Sequence, residues 1–185
     1  MEVSDKILVQ KIQGGDKDTY EQLFKNYYAL LCDYAQSYVQ DAHVAEDQVQ
    51  EVFVNIWDQK ENWRPKGSIK SYLYKATRNQ CLNYLKHKKI VEEWKQKEAK
   101  KDNSDHFSKP SEKRADPKQL KEWVQAAVSQ LPEKRRRVYE LSRDHGLTYK
   151  EIAQTLDISI KTVETQMARS LRHLRTWLRK KIAER

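Results

Sequence analysis

Leu147-Thr148-Tyr149-Lys150-Glu151-Ile152-Ala153-Gln154-Thr155-Leu156, Asp157-Ile158, and Ser159-Ile160-Lys161-Thr162-Val163-Glu164-Thr165-Gln166-Met167-Ala168-Arg169 read as two short helices about a tight turn. Ile152, Ala153 and Leu156 give the first helix one apolar face. Asp157-Ile158 breaks it, and Ser159 is a good N-cap because its hydroxyl can satisfy an orphan backbone N–H. In the second helix Val163, Met167, Leu171, Leu174 and Leu178 form one stripe. Thr162, Thr165, Arg169, Arg172 and Thr176 gather on the opposite side, a basic and hydroxylated face. A helix-turn-helix needs this layout: a buried stripe holds the second helix and an outer face enters the major groove. An amphipathic hairpin with a solvated polar face is the plainer alternative.

The chain of 185 residues has a formal net charge of +9. That excess is uneven: from Leu120 to Arg185 there are 15 Lys/Arg against 8 Asp/Glu, a net of +7. It therefore accompanies the helix-turn-helix, as expected for a phosphate-facing module, although a solvated basic surface without function would give the same excess. Cys32 and Cys81 fall inside helical patterns with no Cys-x-x-Cys pair, and the five histidines have no metal-ligand spacing, so structural thiols and no metal or other cofactor are expected. The start is acidic and no apolar run approaches the ~20 residues of a membrane span. A soluble, cytoplasmic protein without membrane insertion is expected. Gly and Pro number four each, and no segment alternates with period two, so an all-α fold is expected.

The pattern predicts a helix from Asp5 to Gln13, stopped by Gly14-Gly15. A second starts at about Asp16 with Tyr20, Leu23, Phe24, Tyr27, Tyr28, Leu31 and Tyr34 as its apolar face. Asp41 caps a third, Ala42 to about Trp57, with Ala45, Val49, Val52, Phe53 and Ile56 turned inward. Opposite them lie Asp47, Gln50, Glu51, Val54 and Asp58, with Phe53 and Trp57 at the margin. An acidic face with an exposed Val and flanking aromatics suits protein docking, and equally suits plain solvation.

Trp63 to Gly67 reads as a turn and Ser68 as the cap of a fourth helix, Ile69 to about Lys89, with Ile69, Leu73, Ala76, Cys81, Leu82 and Leu85 on its apolar side. It carries Lys70, Tyr72, Tyr74, Lys75, Arg78, Asn79, Tyr84, Lys86, Lys88 and Lys89, and no acid occurs from Pro65 to Val91. Cations interleaved with aromatics suit a nucleic-acid single strand, since rings stack on unpaired bases for ~1–3 kcal/mol each. Alternatively the tyrosines are core and the lysines solubilise. The helix can continue over Val91 to Lys101, with Val91 and Trp94 on one side.

Residues 102–117 have no period and read as a flexible linker between two small helical domains, 1–101 and 118–185. The second domain opens with Leu120, Trp123, Val124, Ala127 and Val128 in register. Leu131-Pro132-Glu133 starts the next helix and Gly146 closes it.

Four motifs in order carry a resemblance: Ala45 to Phe53, Ser71 to Asn79, Leu131 to Val138, and Tyr149 to Ala153 with Thr162 to Thr165. They resemble the bacterial sigma-70 family, and within it the two-domain extracytoplasmic-function (ECF) group, from about Ile7 to Leu178. The wording of Glu164-Thr165-Gln166 is similar to versions common in Bacteroidetes.

The resemblance implies a transcription initiation factor with core RNA polymerase (β′ clamp helices and β flap) and promoter DNA as partners. Asp47, Gln50, Glu51, Phe53, Val54 and Trp57 would face the polymerase. Lys70, Tyr72, Tyr74, Lys75, Arg78, Asn79, Lys86, Lys88 and Lys89 would open and hold the −10 element, with Asn79 in the pocket for a flipped non-template base. Extruding a base costs a few kcal/mol, so a pocket with stacking partners is required. Lys161, Thr162, Glu164, Thr165, Arg169 and Arg172 would face the −35 element, Arg169 reading a guanine edge or only a phosphate. An anti-sigma factor is expected, because the group often has one.

Two positions depart from the family. Tyr72 stands where many members carry Trp, and Glu164 where some carry a basic residue. Glu repels phosphate but can accept from a cytosine amine, so the −35 sequence does not carry over.

A LuxR-type regulator shares the second domain's pattern but leaves Glu46 to Phe53 and the acid-free stretch unexplained. An enzyme acting on nucleic acid, or on a small-molecule substrate, needs a metal cluster, an activated nucleophile or a phosphate loop, and none is readable here. The polymerase would supply the chemistry.

Overall fold

The computed structural model describes residues 3–96 and 117–183. Among them are eight α-helices, one short 3-10 helix and no strand. They fall into two compact bundles. Helices α1 (Val3–Gln13), α2 (Lys17–Val39), α3 (Ala42–Asp58) and α4 (Ile69–Gln96) form the first, with the 3-10 turn Lys60–Asn62. Helices α5 (Pro117–Ser129), α6 (Glu133–Arg143), α8 (Ile160–Ala183) and most of α7 (Tyr149–Leu156) form the second. Residues 102–116 of the expected linker lie outside the described residues, as does the continuation of α4 past Gln96; Pro117 opens α5.

Local chemistry explains the boundaries of the first bundle. Gly15 takes φ +82°, a left-handed conformation that costs glycine little, and turns the chain out of α1. The Asp16 carboxylate then accepts from Thr19 N–H at 3.0 Å and caps α2. Asp41 caps α3 in the same way through Val44 N–H at 3.1 Å. Ser68 caps α4, its Oγ accepting from Ser71 N–H at 3.1 Å.

The core of this bundle lies between α2, α3 and α4. Ala45, Val49, Val52, Phe53 and Ile56, the whole expected stripe of α3, are buried. Leu23, Leu31 and Tyr34 of α2 are buried, whereas Tyr20, Phe24, Tyr27 and Tyr28 are only half-buried at its rim. Tyr34 sits edge-on to Tyr38 and their hydroxyls pair at 2.9 Å, so both phenols are buried with a polar partner. On α4, Ile69, Leu73 and Cys81 are buried as expected, but Leu82 is exposed and Tyr74 takes a place in the core. Cys32 is half-buried, and neither cysteine is in a disulfide.

In the second bundle α8 packs against α5 and α6. Helix α6 ends under a glycine cap: Gly146 takes φ +61° and Leu147 N–H reaches back to the Leu141 carbonyl at 2.9 Å. Helix α7 begins with a reciprocal box, Thr148 N–H donating to Glu151 Oε2 at 2.9 Å and Glu151 N–H to Thr148 Oγ1 at 3.3 Å. Asp157 takes φ +56° at the turn, and Ser159 Oγ accepts from Thr162 N–H at 3.0 Å to start α8. The buried line of α8 is Val163, Met167, Ser170 and Leu174. Leu171, expected in that line, is exposed, and Leu178 is half-buried. At 100° per residue Leu171 lies about 70° off the centre of the buried line, whereas Ser170 lies close to it. The serine satisfies its hydroxyl by donating to the Gln166 carbonyl at 2.9 Å.

Candidate nucleic-acid and protein-docking surfaces

The outer face of α3 presents Asp47, Gln50, Glu51, Val54 and Asp58, all exposed. Val54, half of whose surface is open, is an apolar spot inside an acidic rim. The face rests on an aromatic floor. Phe53 is only 2 % exposed, so it supports the face from below and does not stand at its margin. Phe24 packs on Phe53 at 4.9 Å, and Tyr20 on Trp57 at 4.7 Å. Tyr20 Oη donates to the Phe53 carbonyl at 2.6 Å. Burial, and secondarily the Asp58 charge, push the Tyr20 phenol up to about 12. Trp57 is half-buried, with the Lys60 ammonium 4.8 Å from its ring centroid. Gln50 Nε2 donates to Tyr28 Oη at 3.2 Å, tying the face to α2.

Helix α4 divides its basic and aromatic residues unequally. Lys86, Lys88 and Lys89 are exposed, and Lys70, Lys75 and Arg78 half-buried. Tyr72 and Tyr74, two residues apart, have opposite fates. Tyr74 is fully buried, its ring 5.0 Å from that of Tyr34, and burial raises its phenol well above the ordinary value. It is therefore a core residue and cannot stack on a base, contrary to the expectation from the sequence. Tyr72 is half-buried and meets Trp63 edge-on at 5.8 Å.

Tyr72 and Trp63 belong to the wall of a cavity of about 330 Å³ in the first bundle. Val52, Asn55 and Ile56 line it from α3, with Gln59 at the cap just past its end. Asn62, Trp63 and Arg64 come from the 3-10 turn and the loop after it. Tyr72, Ala76 and Gln80 close it from α4. Apolar groups, two aromatic rings, four side-chain amides and one guanidinium converge there, with no carboxylate among them. A flat heteroaromatic ring finds stacking surface and neutral donors and acceptors for its edge in such a site. Asn79 is not in this lining: it is exposed, and its Oδ1 accepts from Arg78 Nη1 at 3.4 Å. The loop residues were read only as a turn in the sequence, because nothing local shows that a chain segment will complete a concave wall.

In the second bundle Lys161, Glu164, Thr165, Arg169 and Arg172 are exposed along α8. Thr162 is half-buried and committed to the cap, its hydroxyl 2.8 Å from Ser159 Oγ. Thr165 Oγ1 donates to the Lys161 carbonyl at 2.8 Å. The exposed basic face continues through Arg175 and Arg179. The helical period puts these two residues on the same face, beyond the turn motif itself. The arginine run of α6 is partly engaged within its own helix: Arg137 pairs with Glu133 at 2.6 Å, and Arg136 with Glu140 at 3.9 Å. The hydrogen bond from Arg137 holds the Glu133 carboxyl below its ordinary value, while burial lifts Glu140.

Among the described residues no three His, Cys, Asp or Glu side chains converge as a metal site, and no helix is long and apolar enough to cross a membrane.

Comparison with known proteins places both bundles. The Sigma-70 region 2 profile matches residues 23–90, and the Sigma-70, region 4 profile residues 121–174. The RNA polymerase sigma-H factor of Pseudomonas aeruginosa is 27 % identical over 173 residues, covering 90 % of this chain and 89 % of its own. The ECF RNA polymerase sigma-E factor of Escherichia coli K12 is 24 % identical over 179 residues, covering 91 % of each chain. Among solved structures, CnrH in complex with the cytosolic domain of CnrY superposes with a TM-score of 0.63 at 21 % identity, over 95 % of this chain and 97 % of that one. The sigma factor RpoE in complex with the anti-sigma factor NepR, from Bartonella quintana, gives 0.58 at 19 % identity, over 86 % and 96 %.

Proposed function

Since the chain belongs to the sigma-70 family, in its ECF group, we propose that it binds core RNA polymerase and directs it to promoters by reading −10 and −35 elements. The observation that carries this reading is the company kept in the first bundle: one protein-docking face and one polar, ring-sized cavity share helix α3. Asp47, Gln50, Glu51, Val54 and Trp57 offer the polymerase an acidic rim around an apolar spot, with Phe53 as support. The cavity receives one unpaired base of the −10 element, Tyr72 and Trp63 supply aromatic surface, and the lysines and arginine of α4 follow the phosphates. Asn79 stands outside the cavity, where it can meet the strand beside the captured base. Helix α8 enters the major groove of the −35 element with Lys161, Glu164, Thr165, Arg169 and Arg172 outward. Polymerase binding and −10 recognition belong to residues 1–101, and −35 recognition to residues 118–185. The polymerase supplies the chemistry, so the protein works in the cytoplasm as a specificity factor and not as an enzyme.

Control by an anti-sigma factor belongs to the same reading. RpoE of Bartonella quintana was solved with one bound, and the exposed Val54 and Leu171 offer apolar contacts to such a partner.

Native co-purification with core polymerase, followed by run-off transcription on genomic fragments, tests the function. Core binding with discrete start sites is expected, and the shared −10 and −35 sequences emerge from those sites. Binding to duplex DNA without any core binding would sink the reading and favour a helix-turn-helix regulator.

A further inference from the structure

Helix α1 makes two polar contacts far apart in sequence, both to the segment that walls the cavity. Gln13 Nε2 donates to the Trp63 carbonyl at 2.8 Å. Asp5 Oδ2 accepts from Ile69 N–H, the first backbone amide of α4, at 3.1 Å. Eight residues of helix separate Asp5 from Gln13, which places them about 12 Å apart along the axis and within about 80° of one face. The seven residues from Trp63 to Ile69 are thereby held at both ends by one rigid rod. That rod is itself fixed: Val9 and Ile12 are buried, and α1 packs on α2 and on the 3-10 turn.

The anchored segment has no regular secondary structure between the 3-10 turn and α4. Gly67, near its far end, takes φ +86°. Its first residue, Trp63, is a cavity wall, and its last, Ile69, begins the helix that carries Tyr72, Ala76 and Gln80 on the opposite wall. The separation of these walls sets the width of the cavity; Trp63 N–H also bonds the Lys60 carbonyl at 3.1 Å, but the two bonds from α1 are the ones that tie both ends of the segment to a single element. Ser68 already caps Ser71 N–H, so the Asp5 carboxylate satisfies a second orphan donor at the same helix start from a distant point in the chain.

We propose that Asp5 and Gln13 are positioning residues for base capture: α1 sets the width of the cavity and hence which base it accepts. This inference rests on the reading of the cavity as a −10 base site. The residues act through Trp63 and the start of α4 and touch no DNA themselves.

The test uses the full chain reconstituted with core polymerase on a promoter library randomised across the −10 and −35 elements, with open complexes sequenced. Gln59→Ala, a change in the cavity wall, identifies the −10 position read there. Gln13→Glu replaces the amide donor with an acceptor of the same shape. Asp5→Ala removes the acceptor, and Asp5→Asn keeps an oxygen in its place. At the position marked by Gln59→Ala, Gln13→Glu and Asp5→Ala are expected to lower base discrimination about three- to tenfold, the scale of one lost hydrogen bond. Asp5→Asn should restore it, and core affinity and preferences at other positions should stay unchanged. Equal loss at every position, loss of core affinity, or a lowered melting temperature without change in the profile would reduce α1 to ordinary structural support and overturn the proposal. A wild-type preference that both variants keep overturns this inference alone. A flat wild-type −10 profile with intact core binding overturns the cavity reading as well.

Discussion

Helices α4 and α8 are both long and basic, yet they expose their chemistry in opposite ways. On α8 the outward side chains from Lys161 to Arg179 stand on one convex ridge, and the helix needs its neighbours only for the buried line on its back. On α4 the residues that matter face inward or sideways: Tyr74 into the core, Tyr72 and Gln80 into a cavity completed by α3 and a loop. A convex reader depends on its own sequence. A concave one depends on everything that builds its walls.

Truncation separates the two most sharply. Tyr74→Ala deletes a fully buried ring and should cost about 3–5 kcal/mol, melting the first bundle well below the wild type in circular dichroism. Arg172→Ala on α8 should shift stability by no more than about 0.5 kcal/mol. Similar losses from both would erase the distinction.

Filling the cavity is the next largest change. Ala76→Phe puts a ring where a base would enter and should lower open-complex formation about ten- to a hundredfold, corresponding to the loss of ~1–3 kcal/mol of stacking. Core binding, read by native co-purification, should be unaffected. Normal promoter opening by this variant would mean that α4 reads DNA along its surface, as α8 does.

Arg169→Ala sharpens the other side of the comparison. If the side chain meets a phosphate, −35 duplex binding should weaken for every sequence and the salt slope should fall by about one. If it reads a guanine edge, one position should relax by ~1–3 kcal/mol while the slope changes less. Titrations at several salt concentrations against two duplexes distinguish these.

The smallest effect lies under the docking face. The Tyr20 phenol is raised from 10.0 to about 12 in the folded protein, so folding favours the neutral form. Its contribution is complete below pH 10 and is lost as the pH climbs through 12. Tyr20→Phe removes this group and its bond to the Phe53 carbonyl, a loss of roughly 0.5–1.5 kcal/mol near neutral pH. The stability gap between variant and wild type should narrow as melts are repeated at rising alkalinity; a constant gap would show that the phenol titrates normally.

The same contrast explains what could be read in the sequence. Asp41, Ser68 and Ser159 were legible as caps because a cap bonds two or three residues away. The inward stripe of α3 was legible because five apolar residues repeat on one face. Tyr72 and Tyr74 could not be told apart: both sit among lysines, and only the position of Tyr34 on another helix decides which is buried. The pattern gives Phe53 both to that stripe and to the edge of the outer face; the aromatic floor from α2 that covers it decides for the stripe. The cavity was invisible because Trp63 owes its place to Gln13, fifty residues earlier. On α8 the misplacement of Leu171 was a matter of angle: Ser170, polar in composition, fits the buried line better once its hydroxyl bonds within the helix.

The length of α8 has a consequence for how the protein can change over time. Its 24 residues extend about 36 Å, three times the roughly 12 Å width of a major groove. Lys161 and Arg179, about 27 Å apart along the axis, cannot both lie over the floor of one groove. In the proposed −35 reading, the near end would choose among base pairs while the far end would meet the flanking backbone. On that reading, substitutions around Glu164 and Thr165 would retarget the module to new promoters while Arg175 and Arg179, at the far end, would keep its hold on the backbone.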